Sequence, residues 1–130
     1  VAWGEQDAFG HLNNVVLFRC CESVRMRYLE RIGVLRSHAE EGISVILAAA
    51  SFEFREPVRW PQRLTVRTGC IAAGGTSFTI AYAITDEEGD LVADGTSVQV
   101  MYDYRSGAKV RVPDGVRAAI AALQGAQEGF

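Results

Sequence analysis

Leu17, Cys21, Val24, Tyr28, Ile32 and Leu35 recur at steps of three or four, the spacing that gathers them on one face of a helix. Asn13 or Asn14 can cap its start, because a side-chain amide oxygen accepts a backbone N–H that the first turn leaves unpaired. Gly33 offers a stop. The pattern predicts a helix of about five turns, the longest element of the chain. Arg19, Glu22, Arg25, Arg27, Glu30 and Arg31 fall largely off the apolar stripe. Glu22 and Arg25, of opposite sign and three apart, predict an ion pair of small energetic value.

Beyond that helix the period changes. After a short helical or irregular stretch at Arg36 to Gly42, four strand patterns appear. The first spans about Ser44 to Arg55. The second alternates Leu64, Val66, Thr68 and Cys70 with Arg63, Thr65 and Arg67. In the third, Phe78, Ile80, Tyr82 and Ile84 share one face and Ser77, Thr79, Ala81 and Ala83 the other. Asp86-Glu87-Glu88-Gly89-Asp90 has the composition of a hairpin turn. The fourth, about Leu91 to Tyr102, puts Val98, Val100 and Tyr102 on one face and Ala93, Gly95 and Ser97 on the other. Val116 to Leu123 reads as a short amphipathic helix after Pro113, and Val1 to Trp3 as the end of a strand. One long helix and a run of antiparallel strands predict an α+β domain whose single sheet curls around the helix. The bulky faces of the third and fourth strands are expected to cover it, leaving the small, polar faces for another subunit.

The length of 130 residues fits a single domain spanning 1–130. A core of that size is modest, so association would help it. The net charge of −3 comes without any basic block, which argues against nucleic acid as a partner. No apolar run approaches the roughly 18 residues that span a bilayer, so membrane insertion is not expected. Three cysteines, Cys20, Cys21 and Cys70, include an adjacent pair ill suited to bridging each other. They read as reduced thiols of a cytoplasmic protein. With two histidines and no CxxC, no metal site is expected. The chain opens at Val1 without a methionine, which leaves room for native residues upstream.

Chemistry concentrates in the loop before the helix, Trp3-Gly4-Glu5-Gln6-Asp7-Ala8-Phe9-Gly10-His11-Leu12-Asn13-Asn14. A carboxylate a few residues ahead of a helix start suits acyl transfer: free N–H groups of the first turn can hold a developing oxyanion while the carboxylate attacks or activates water. By residue type alone, an aspartate in such a loop is more often a turn or capping residue. His11 alone reads as a loop histidine, and Asn13-Asn14 as a cap.

The string W-G-x-x-D-x-x-G-H-x-N-N, with Glu22 and Arg25 as E-x-x-R on the helix, resembles the signature of hot-dog-fold acyl-CoA thioesterases of the 4-hydroxybenzoyl-CoA thioesterase type. It is most similar to the branch carrying G-H-x-N-N. Arg55-Glu56-Pro57-Val58, Gly75-Thr76-Ser77-Phe78 and the closing strand to Tyr102 fit as well. The resemblance implies a hot-dog fold, one antiparallel sheet wrapped around a long central helix. It implies Asp7 as nucleophile or general base, and Asn14 as the position whose backbone N–H polarises the thioester carbonyl. Gly10 would permit the tight approach of the loop, and His11 and Asn13 would shape it around the thioester. The apolar stripe running on from this loop separately predicts an acyl pocket lined by Leu17 and Cys21 and closed by Phe9. Arg55 and Ser77 would contact the CoA arm across a homodimer or homotetramer. The implied substrate is an acyl-CoA or acyl-carrier-protein thioester, with no cofactor and no metal. Leu17 stands where many relatives carry tyrosine and Glu5 where many carry aspartate, and Ala72-Ala73-Gly74-Gly75 lacks the basic cluster some use on CoA phosphates. Two other readings remain: a hot-dog hydratase or dehydratase, and a non-catalytic acyl-binding module.

Overall fold

The computed structural model describes residues 14–56 and 63–126. The expected strand end at Val1 to Trp3 and the loop from Gly4 to Asn13 lie outside them. In chain order the elements are α1 (Asn14–Arg31), α2 (Val34–Glu41), β1 (Ile43–Phe54), β2 (Thr65–Ala73), β3 (Ser77–Thr85), β4 (Leu91–Asp103), β5 (Ala108–Lys109) and α3 (Asp114–Ala126). The strands form one antiparallel sheet in the order β1-β4-β3-β2, with β5 hairpinned onto the end of β4. This is the α+β hot-dog arrangement, with α1 packed against one face of the sheet.

The long helix ends where the sequence places its glycine. Gly33 takes φ 86°, a left-handed conformation open to glycine without strain, and its N–H closes the last turn onto the Glu30 carbonyl at 3.1 Å. That turn resets the helical phase. Leu35 therefore belongs to α2, where it is exposed, and the α1 stripe stops at Ile32. Leu17, Cys21, Tyr28 and Leu29 of α1 and Ile32 just after it pack into the core with Cys70 of β2 and Phe78, Ile80, Tyr82 and Ile84 of β3. Full burial of a side chain such as Ile80 or Phe78 contributes about 1.5–3 kcal/mol. Val116 and Ile120 of α3 join the same core, and Gln124 Oε1 accepts from the Cys70 N–H at 2.8 Å.

Two expectations are overturned. The first concerns the faces of β4. In an antiparallel pair, residues directly opposite share a face, and Ile80 stands opposite Ser97, Phe78 opposite Gln99 and Tyr82 opposite Gly95. Register therefore turns Ala93, Gly95, Ser97, Gln99 and Met101 toward the helix and sends Val98, Val100 and Tyr102 to the outer face. The polar members of the inner face are satisfied there. Tyr82 Oη lies 2.7 Å from Ser97 Oγ. The Gln99 amide is satisfied when its Oε1 accepts from Ser97 Oγ at 2.6 Å and its nitrogen donates to the Phe78 and Ser97 carbonyls at 3.2 Å. The second concerns Glu22 and Arg25, which form no ion pair. Glu22 is exposed, while Arg25 is half-buried and acts on Tyr82 through its charge and a hydrogen bond.

Candidate active site at the start of α1

Asn14 opens α1, so the first-turn N–H groups have no partner within the helix and point out of its N-terminal end. The macrodipole adds partial positive charge there. Both features favour an anionic group or a developing oxyanion at this end of the helix. Asp7, Phe9, Gly10, His11 and Asn13 lie outside the described residues. Leu17, expected among the substrate contacts, is 3% exposed and packed in the core, and Cys21 is 1% exposed beside it. Burial pushes the Cys21 thiol up to about 12, with Cys20 adding to the shift and Arg25 opposing it. A thiol so protonated is no nucleophile near neutral pH.

The side chain that α1 turns outward near its start is Phe18, a residue the apolar stripe passes over. Phe18 meets Phe52 edge-on with ring centroids 4.9 Å apart and Phe54 at 5.6 Å, arrangements the ring quadrupoles favour. Phe52 in turn lies 5.5 Å from the Tyr82 ring. Gly95 makes this possible. It stands between Phe52 on β1 and Tyr82 on β3, and a Cβ there would collide with the Ser51 carbonyl oxygen and come within 2.5 Å of the Phe52 ring. The two rings close over the space that the glycine leaves. One signal in the sequence marks the spot: a lone glycine inside a strand, where backbone or ring approaches closely.

Arg55 and Ser77 sit apart from each other in the sheet. Arg55 follows β1 and is exposed. Its guanidinium spans Asp94 Oδ1 at 2.8 Å and Oδ2 at 3.2 Å and also reaches Glu53 Oε2 at 3.0 Å. The hydrogen bond to Asp94 raises its pKa further, so it is a permanent cation held by two carboxylates. Ser77 begins β3 opposite Val100, and its carbonyl accepts from the Gly74 N–H at 2.8 Å. Among the described residues, one group of carboxylates comes within reach of a common ion, Glu56, Asp86 and Asp90, whose oxygens lie within 4.8 Å of one another. Asp86 already accepts from the Glu88 and Asp90 N–H groups at 2.9 and 3.0 Å, so it serves the β3–β4 turn. No helix among the described residues is long and apolar enough to cross a membrane.

Comparison with known proteins agrees with this architecture. A solved thioesterase from Thermus thermophilus, complexed with coenzyme A and zinc, superposes with a TM-score of 0.83 and 25% identity, covering 96% of this chain and 90% of that one. The Bacillus subtilis (strain 168) protein YsmA is 27% identical over 114 residues, 88% of this chain and 76% of that protein. An acyl-acyl carrier protein thioesterase of Arabidopsis thaliana, the chloroplastic ATL3, is 28% identical over 118 residues. The match spans 88% of this chain and 60% of ATL3. A family model of the thioesterase-like superfamily matches residues 1–120, and the chain belongs to that superfamily.

Proposed function

We propose that this protein hydrolyses the thioester of an acyl-CoA or acyl-carrier-protein substrate, with Asp7 as nucleophile or general base. The observation that carries the reading is the superfamily match over residues 1–120, which includes both Asp7 and the helix start at Asn14. Two relatives support it, an acyl-acyl carrier protein thioesterase and a thioesterase bound to coenzyme A. The G-H-x-N-N string at Gly10 to Asn14 supports the finer assignment to the branch that carries it.

An aspartate with an ordinary pKa near 3.9 is ionised at neutral pH, and the positive end of α1 keeps it so. In the general-base route the Asp7 carboxylate takes a proton from water as the oxygen attacks the carbonyl carbon. The N–H at Asn14 holds the resulting oxyanion, the C–S bond breaks, and the thiolate leaves with the proton. In the nucleophilic route the carboxylate itself attacks and the thiolate departs; water then cleaves the anhydride, freeing the acid, restoring the Asp7 carboxylate and supplying the proton the thiolate takes up. A thioester is reactive enough for either. Phe9, Gly10, His11 and Asn13 shape the loop around the reacting group, with Leu17 packed behind it. Ser77 and Arg55 approach the CoA arm, Arg55 by exchanging Glu53 or Asp94 for a phosphate.

The working unit is a homodimer or homotetramer. Among the described residues β1 is an edge strand of 12 residues with exposed Ile46 and Leu47, and such an edge invites pairing with a second chain. Cys20, Cys21 and Cys70, none of them in a disulfide, suit a reducing, cytoplasmic compartment.

Asp7→Asn tests the assignment. The amide keeps the size and most loop hydrogen bonds but loses the charge. We expect kcat for thiol release to fall by about two orders of magnitude or more, with KM little changed and stability held within about 1 kcal/mol. Glu22→Gln, a neutralised carboxylate on α1, keeps most activity. Near-normal turnover by a folded Asp7→Asn protein removes Asp7 from the role. Absence of thiol release from every thioester offered favours the hydratase or the binding module.

A further inference from the structure

We propose that Phe18, Phe52 and Phe54 form the wall along which the acyl group lies, and that the inner face of β1 beyond them, at Ala50 and Leu47, carries the chain onward. The proposal rests on the thioester reading and names the residues that set its acyl selectivity.

Position is the first argument. Phe18 follows Asn14 by one helical turn, about 6 Å along the axis on the same face. A carbonyl polarised at the helix start therefore extends its acyl chain beside this ring. Exposure is the second. Phe18 is 45% exposed, Phe54 38% and Leu47 47%, although Phe52, Phe54 and Leu47 face the same side of the sheet as the core residues Ala93 and Met101 of β4. α1 packs chiefly on β2 and reaches β1 through Phe18, and α2 also packs on β1; among the described residues Ala50 and Leu47 of β1 nonetheless stay exposed. Single exposed apolar residues are ordinary, but a continuous inward-facing strip marks a binding surface. From Phe54 to Leu47 the strip runs about 20 Å at the strand rise of roughly 3.3 Å per residue, room for an extended chain. Rigidity is the third argument. Phe52 is seated in the gap at Gly95, so the wall is formed before any ligand arrives.

Thiol release from saturated straight-chain acyl-CoAs, ordered from short to long, tests the wall. In the unmodified protein kcat/KM is expected to rise about fourfold for each methylene buried along the strip. Phe18→Ala and Phe54→Ala should cut that rise below about twofold. Phe18→Trp, which narrows the strip, should move the optimum to shorter chains. Ile71→Ala, an exposed apolar residue on β2, should leave the series unchanged. Calorimetry with non-hydrolysable acyl-CoA thioethers reads the same series without chemistry. A chain-length dependence in thioether binding that Phe18→Ala flattens, with no thioester hydrolysed, keeps the wall and sinks the hydrolytic reading. Hydrolysis whose chain-length series is unmoved in folded Phe18→Ala and Phe54→Ala proteins does the reverse. Loss of the oligomer in Phe18→Ala with the series intact makes the rings a subunit contact and overturns the proposal.

Discussion

β3 and β4 run side by side in the middle of the sheet and build the same face of the core by opposite means. β3 supplies bulk: Phe78, Ile80, Tyr82 and Ile84 are all 2% exposed or less. Across from them β4 supplies Gln99, Ser97, Gly95 and Ala93, which bring little apolar area. Their contribution is room and hydrogen bonding. Gly95 admits the Phe52 and Tyr82 rings, and Ser97 joins the Tyr82 hydroxyl to the Gln99 amide. A core face is thus a property of the pair of strands, and small residues on one are the complement of large residues on the other.

Removing bulk from β3 gives the largest effect. Ile80 is fully buried, and Ile80→Ala deletes apolar volume at a site that rigid neighbours cannot fill. We expect a loss of about 2–5 kcal/mol in urea unfolding. A loss below about 1 kcal/mol would mean that the side of the core between β3 and α1 is loosely packed, and would break the contrast with β4.

Removing polarity from β4 comes next. Ser97→Ala leaves the Gln99 carbonyl without its partner and the Tyr82 hydroxyl with Arg25 alone and no acceptor in Ser97, at a cost of about 1–3 kcal/mol. Tyr82→Phe removes the donor on the other side. In the double variant one orphan disappears, so the combined loss should fall short of the sum by about 0.5–1 kcal/mol or more. Strict additivity would mean that the three groups do not act as a network and that β4 contributes by space alone.

The same contrast explains which parts of the structure were legible in the sequence. Alternation in β3 identified its buried face because one face is bulky and apolar and the other small. In β4 both faces are mixed, and period alone cannot say which turns inward; the register with β3 decides it. Size was a misleading guide there, since Val98 and Val100 are larger than Ser97 and Gly95 yet face out. α1 was legible through its stripe and through Gly33, but its outward aromatic residue was not. Phe18 lies off the stripe, and its partners Phe52 and Phe54 come from a strand more than thirty positions away. Arg25 read as a surface charge because its spacing from Glu22 suits an ion pair, whereas the Tyr82 hydroxyl on β3 draws it inward. The thioesterase resemblance was legible in the segment before α1 because its motif is local in sequence; that segment lies outside the described residues.

The smallest effect appears at high pH and separates the polar patch from the thiol beside it. Burial raises the Tyr82 phenol above its ordinary value, with the Ser97 hydrogen bond and the Arg25 charge opposing part of the shift. A raised folded-state pKa means that the unfolded chain loses its proton first. The contribution of Tyr82 to stability is therefore complete below the unfolded value near 10 and declines as pH rises from there through the folded value. Cys21 behaves alike but earlier, since burial takes it from 9.0 to about 12, so its share begins to fall near pH 9. Tyr28, pushed by burial to about 12, adds to the decline above pH 10. Urea midpoints measured across this range should fall with two onsets. Cys21→Ala should reduce the first, between pH 9 and 10, leaving the share of Cys70, whose thiol burial also raises, and should leave the second. Tyr82→Phe, less stable at neutral pH, should show a shallower fall only above pH 10. An alkaline limb in Tyr82→Phe parallel to that of the unmodified protein would mean that the Tyr82 phenol ionises in the folded core as readily as in the unfolded chain, and that Arg25 and Ser97 outweigh its burial.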